Sequence, residues 1–100
     1  MALGFRLTRD AQKDLTTIRR YTVETWGQEQ SRTYLQGIRD TIELLAEFPG
    51  QGVDRQDVGE GVFSFPCGSH MLYYRLEMKQ LVVFAVLHQR MVPEEHLQGR

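Results

Sequence analysis

A chain of 100 residues with 41% hydrophobic content has enough apolar surface for one core, so residues 1–100 are expected to form a single domain. Its 12 Lys and Arg stand against 13 Asp and Glu for a formal charge of −1, which disfavours a protein whose main work is neutralising nucleic-acid phosphates, because such proteins carry a basic excess. The lone Cys67 excludes an intramolecular disulfide and fits a reducing compartment. No run approaches the ~18 apolar residues of a membrane span, and the opening Met-Ala-Leu-Gly-Phe-Arg lacks the order of a signal peptide. The expectation is a cytoplasmic protein without a membrane partner.

Leu3, Phe5 and Leu7 recur at every second position between Ala2 and Thr8, the period of a half-buried strand. Thr8 then offers a capping hydroxyl, Asp10 a negative charge in the first turn, and Ala11, Leu15, Ile18 and Tyr21 or Thr22 repeat at helical spacing, predicting a helix to about Trp26. Gly27 stands where a chain leaving a helix turns left-handed. From Gln28 a second helix carries its apolar stripe on Tyr34 or Leu35, Ile38, Ile42 and Leu45. Pro49 and Gly50 end it, and residues 51–61 read as a polar loop.

From Val62 the period returns to two. Val62–Phe65 predicts a strand, Pro66–Ser69 a turn, His70–Leu76 a strand, Glu77–Gln80 a second turn, and Leu81–His88 the last strand. The run Leu81–Leu87 is apolar at both parities, so this strand should lie inside the sheet with both faces covered. In the strand before it, Leu72, Tyr74 and Leu76 share one face and Met71, Tyr73 and Arg75 the other, which predicts one core face and one open to solvent. A tail from Gln89 to Arg100 adds a short helix around Glu94–Leu97. The class is α+β: a strand, a helical hairpin, then a three-stranded antiparallel meander.

Taken in order, "LTRDAQKDL" (Leu7 to Leu15), "YTVETWG" (Tyr21 to Gly27), "YLQGIRDTIELLAEFPGQG" (Tyr34 to Gly52), "SHMLYYRLE" (Ser69 to Glu77) and "VFAVLHQRMVPEEHL" (Val83 to Leu97) resemble the ParE-type toxins of the RelE/ParE superfamily over nearly the whole chain. No single piece is specific; the ordered set is. The resemblance implies helices packed on one face of a curved antiparallel sheet. It implies a ParD-like antitoxin with a ribbon-helix-helix DNA-binding half and a tail that folds onto the toxin. It also implies DNA gyrase as the target, through its A subunit, so that DNA is reached only indirectly through antitoxin or gyrase. Inhibition would be by binding, with no catalytic residues, no metal and no cofactor.

The same superfamily contains RelE-like enzymes that cut messenger RNA at the ribosome. That chemistry needs a base for the 2′-hydroxyl, cations for the phosphorane and an acid for the leaving oxygen. His70, His88, Tyr73, Tyr74, Arg75 and Arg90 are the groups a meander brings together for it, although this chain has only Lys13 and Lys79 where the RelE pattern has several lysines. A third reading is a non-toxic remnant that only binds antitoxin.

Weighed singly, His70 reads as a strand-end histidine bonded to backbone or water, and His88 as that or a functional group. His70, His88, His96 and Cys67 show no metal-ligand spacing. Glu94 and Glu95 read as a solvated helix start, Cys67 as turn filler, and Trp26 as a core residue closing the hairpin ahead of the alternative, a protruding interface anchor. Tyr73 and Arg75 are of the types enriched at binding hot spots, or else solvate the sheet. The resemblance makes the tail the target-facing element, against a tail docked only to bury Leu97. The target- or antitoxin-binding set is therefore Tyr73, Arg75, His88, Arg90, Met91, Pro93, His96 and Leu97.

Overall fold

The alternation of Phe5 and Leu7 builds β1 (Gly4–Leu7), and the Thr8 hydroxyl accepts the Ala11 N–H at 3.2 Å to start α1 (Arg9–Trp26). Gly27 has φ 92° and ψ 166°, a backbone region open to glycine, and lets α2 (Gln28–Glu47) double back without a loop. A 3-10 turn at Pro49–Gln51 follows, then β2 (Val53–Asp54), β3 (Phe63–Cys67), β4 (His70–Glu77), β5 (Gln80–His88) and the single turn α3 (Pro93–His96). The computed structural model describes residues 2–100.

The strands form one sheet in the order β1-β5-β4-β3-β2. The α+β order and the placement of the apolar last strand inside the sheet agree with the sequence. The sheet is mixed rather than antiparallel, because β1 runs parallel to β5, with Phe5 opposite Leu81 and Leu7 opposite Val83. No tight turn joins these two strands, so nothing local imposes an antiparallel pairing. Within the segment expected to be loop, β2 pairs with β3, and β3 continues through Cys67, confining the turn to Gly68 and Ser69.

Both helices pack on one face of the sheet. Ala11 and Ile18 of α1 and Ile38, Ile42 and Leu45 of α2 bury against Leu72, Tyr74, Leu81, Val83 and Val86. Inside the hairpin the Ser31 and Thr22 hydroxyls lie 2.6 Å apart, and Thr22 donates onward to the Ile18 carbonyl at 2.8 Å, so the polar pair is satisfied where the helices approach.

The register of β4 on β5 slips once, with Tyr73 opposite Ala85 but Tyr74 opposite Val83, which leaves Phe84 as an extra residue in a β-bulge. Phe84 and Ala85 therefore both turn away from the helices and join Tyr73 and Leu87 in a second cluster, covered by Val58, Val62, Met71 and Leu97. This corrects the expectation of an open face: Tyr73 keeps 3% exposure, because the loop after β2 and the tail fold across it. Trp26 is also corrected, being 41% exposed. It lies one turn past Thr22, the last buried position of α1, and meets the edge of the Tyr34 ring at 5.5 Å.

Candidate functional site

Three features carry chemistry. The first is a groove of about 850 Å³ along the helical hairpin, floored by Leu15, Val23, Leu35 and Ile38, with Phe5 and Leu7 of β1 in its wall. The helical stripes supply this floor, since residues three or four apart share a face. Arg19, Arg20, Arg32 and Arg39 stand around it. Of these, Arg39 is ion-paired to Glu43 at 3.3 Å, whereas Arg19, Arg20 and Arg32 have no ion pair among the described residues.

The second feature is the sheet face away from the helices. The Arg55 guanidinium lies 5.6 Å from the Tyr73 ring centre and holds Asp57 with two hydrogen bonds of 2.9 and 3.0 Å. Those bonds raise the Arg55 pKa and lower that of Asp57. Arg75 lies 5.0 Å from the Phe84 ring centre and is bonded to Glu77, which holds that carboxyl below its ordinary range. The tail crosses this face, and Arg100 grips Asp14 of α1 at 2.5 and 3.1 Å.

The third is a histidine pair on the opposite, helix-side face. His70 and His88 are direct cross-strand neighbours with ring centres 5.4 Å apart. The Tyr34 hydroxyl accepts the Ser69 N–H at 3.1 Å and is hydrogen-bonded to His70 Nδ1 at 2.6 Å, while His88 Nδ1 accepts the Arg90 N–H at 3.1 Å. The accepting Nδ1 of His88 puts the proton of its neutral ring on Nε2. Burial, reinforced by His88, lowers the His70 pKa. Its role as a hydrogen-bonded strand-end residue follows, with a tyrosine rather than backbone as partner.

The residues singled out in the sequence divide among these features. Tyr73, Arg75, Pro93 and Leu97 gather on the tail-covered face. Arg90, Met91 and His96 stand exposed along the tail, and His88 lies on the other side of the sheet. Tyr73 and His88 thus do not converge, and Arg55, Arg75 and Arg100 each already hold a carboxylate of this chain. The groove floor was visible in the helical stripes. Arg55, Asp14 and Arg100 had no local signal, the last two being 86 positions apart.

A strand, a helical hairpin and a meander with a C-terminal tail, the hairpin on one sheet face, define a small protein of the α+β class. The fold is similar to a chain of the chromosomal ParDE TA system from P. aeruginosa, with a TM-score of 0.76 at 21% identity over 87% of this chain and 96% of that one. Residues 5–93 match the family model of the ParE toxin of type II toxin-antitoxin system, parDE. Toxin ParE1 of Caulobacter vibrioides is 37% identical over 93% of this chain and 96% of its own length. Toxin ParE1 of Mycobacterium tuberculosis is 32% identical over 97% of this chain and 100% of its own. The chain belongs to the ParE family of toxins of type II toxin–antitoxin systems.

Proposed function

We propose that this toxin acts by binding rather than turnover, as a single cytoplasmic domain that inhibits DNA gyrase, through the A subunit, until a ParD-like antitoxin covers it. The observation that carries the antitoxin half is the hairpin groove: an apolar trough of about 850 Å³ rimmed by arginines, three of them without an ion pair among the described residues. An antitoxin tail that orders on binding would bury its apolar side chains on Leu15, Leu35 and Ile38 and place carboxylates against Arg19, Arg20 and Arg32. The gyrase half is supported by family membership.

On this reading the exposed Arg90, Met91 and His96 face the target, with Pro93 and Leu97 docking the tail on the face of Tyr73 and Arg75 and His88 fixing its start through the Arg90 N–H. A RelE-like ribonuclease draws less support, since Tyr73 and Arg75 lie across the sheet from His70 and His88, and Arg75 would have to abandon Glu77.

The test is gyrase supercoiling and cleavage-complex formation with the purified chain, with and without antitoxin, beside ribosome-dependent cleavage of a messenger RNA. Linear DNA accumulating with gyrase and suppressed by antitoxin is the expected result. Cut message with untouched gyrase would replace this reading by the ribonuclease, and silence in both by the antitoxin-binding remnant. In the same assays Leu35→Glu should weaken antitoxin binding at least about tenfold, the effect of roughly 1.4 kcal/mol, while leaving gyrase inhibition in place.

A further inference from the structure

The side chain of Asp14 is 15% exposed and does two jobs at once. Its carboxylate accepts the Val86 N–H at 3.0 Å and both terminal nitrogens of Arg100, and Arg100 donates in addition to the Phe84 carbonyl at 3.4 Å. The pairing of β1 with β5 stops at Val83, so β1 does not reach the Val86 N–H or the Phe84 carbonyl. Asp14 and Arg100 stand where the sheet has run out of strand, next to the bulge. Buried backbone groups need such partners.

Between the ends of the tail the apolar contact is carried by Leu97, which packs on the cluster of Tyr73 and Phe84. The tail leaves β5 at His88, carries Met91 and Val92 at 42% and 46% exposure, makes one helical turn and returns to Asp14 through Arg100. Beside it lies a half-open pocket of about 350 Å³ whose walls include Val58, Val62, Arg75, Phe84, Leu97 and Arg100. A segment held by one half-buried ion pair and by the packing of one leucine, Leu97, has few contacts to break, which is the condition for opening without global unfolding. Arg makes the stronger tie because its planar fork meets a carboxylate with two bonds.

We infer that residues 89–100 form a releasable strap, latched by Arg100 on Asp14, which gates access to the sheet face carrying Phe84, Arg75 and Tyr73. This holds whether or not the chain poisons gyrase. The strap opens about the Gln89–Arg90 end, because the Gln89 N–H remains bonded to the Ser69 carbonyl at 3.0 Å.

The experiment uses the full chain with Cys67→Ser and Val62→Cys, so that the single thiol sits in the pocket wall and its reaction with an aromatic disulfide reagent reports opening. Adding Arg100→Gln should raise the labelling rate at least about tenfold, with Arg100→Lys in between. Hydrogen exchange on the otherwise native chain, with and without Arg100→Gln, gives the same answer without the engineered thiol: the Met91 and Leu97 amides should accelerate while those of β4 do not. Unchanged labelling and exchange would overturn the latch. Equal acceleration of β4 and tail amides would also overturn it, since Arg100 would then tie the whole fold rather than gate one face.

Discussion

Toward α1 and α2, the central strands present Leu72, Tyr74, Leu81 and Val83 to helices of 18 and 20 residues; on the reverse, Tyr73, Phe84, Ala85 and Leu87 meet a loop and a tail whose one helix has four residues. Both faces are apolar and both are covered. On the helix face, closure rests on side chains interdigitating along regular elements. On the other it rests on guanidiniums over aromatic rings and on the half-buried ion pair of Arg100 with Asp14. The difference teaches that a face covered by irregular chain can be uncovered on its own, so the two sides of one sheet need not share one stability.

The strongest test of that contrast is a pair of truncations. Leu72 has 0% exposure in the helix-side core, and Leu72→Ala should cost about 3 kcal/mol through lost transfer energy and an uncollapsed cavity. Leu97 is half-buried beneath the strap, where Leu97→Ala should cost about 1 kcal/mol, because the removed atoms already border a hollow. Urea unfolding of both variants measures the difference. Equal losses would mean that the two faces are one cooperative core.

Much of the helix-side face could be read from the sequence. Thr8 caps, Gly27 turns and the stripe through Ile38, Ile42 and Leu45 buries, because each obeys a rule of local backbone or helical period. The tail-side face was misread because alternation tells which side chains share a side but not what will cover them. Val58 and Val62 sit around a segment whose composition says loop, and the bulge that rotates Phe84 onto that side depends on how β5 meets β4. For the groove, the apolar floor was legible; that Arg19, Arg20 and Arg32 stand without ion pairs among the described residues depends on where every carboxylate settles in three dimensions.

A smaller effect should separate the faces by pH. His70 anchors β4 to α2 on the helix side, faced by Tyr34 of α2, Ser69 in the turn, His88 of β5 and the Cys67 carbonyl of β3, which lies 3.4 Å from the Tyr34 hydroxyl. Burial and His88 lower its pKa below the ordinary 6.5, so the unfolded chain takes up the proton first. The stabilisation is therefore full above 6.5 and is lost as pH falls below it. Urea midpoints taken between about pH 7.5 and 5 should fall in the native chain, and His70→Gln should flatten that part of the slope. Tail exchange, measured relative to global exchange, should not follow it. A native slope unchanged by His70→Gln would show that acid acts elsewhere.

The smallest expected effect lies in the turn that joins the two central strands and so belongs to both faces. Met78 and Lys79 have φ values of 45° and 65°, and Met78 is 98% exposed. A two-residue turn between β4 and β5 needs positive φ at both positions, which Asn-Gly adopts readily and Met-Lys does not. Replacing the pair by Met78→Asn and Lys79→Gly should stabilise the fold by about 0.5 kcal/mol, the relief of strain being partly offset by the greater freedom of glycine in the unfolded chain. Because the gain enters through β4 and β5 together, exchange should slow by one common factor in the helix-side and tail-side strand amides. The strap amides, which open without those strands parting, should keep their rate. Slowing of the strap by that same factor would mean that its opening is global unfolding, and the two faces would then have a single stability.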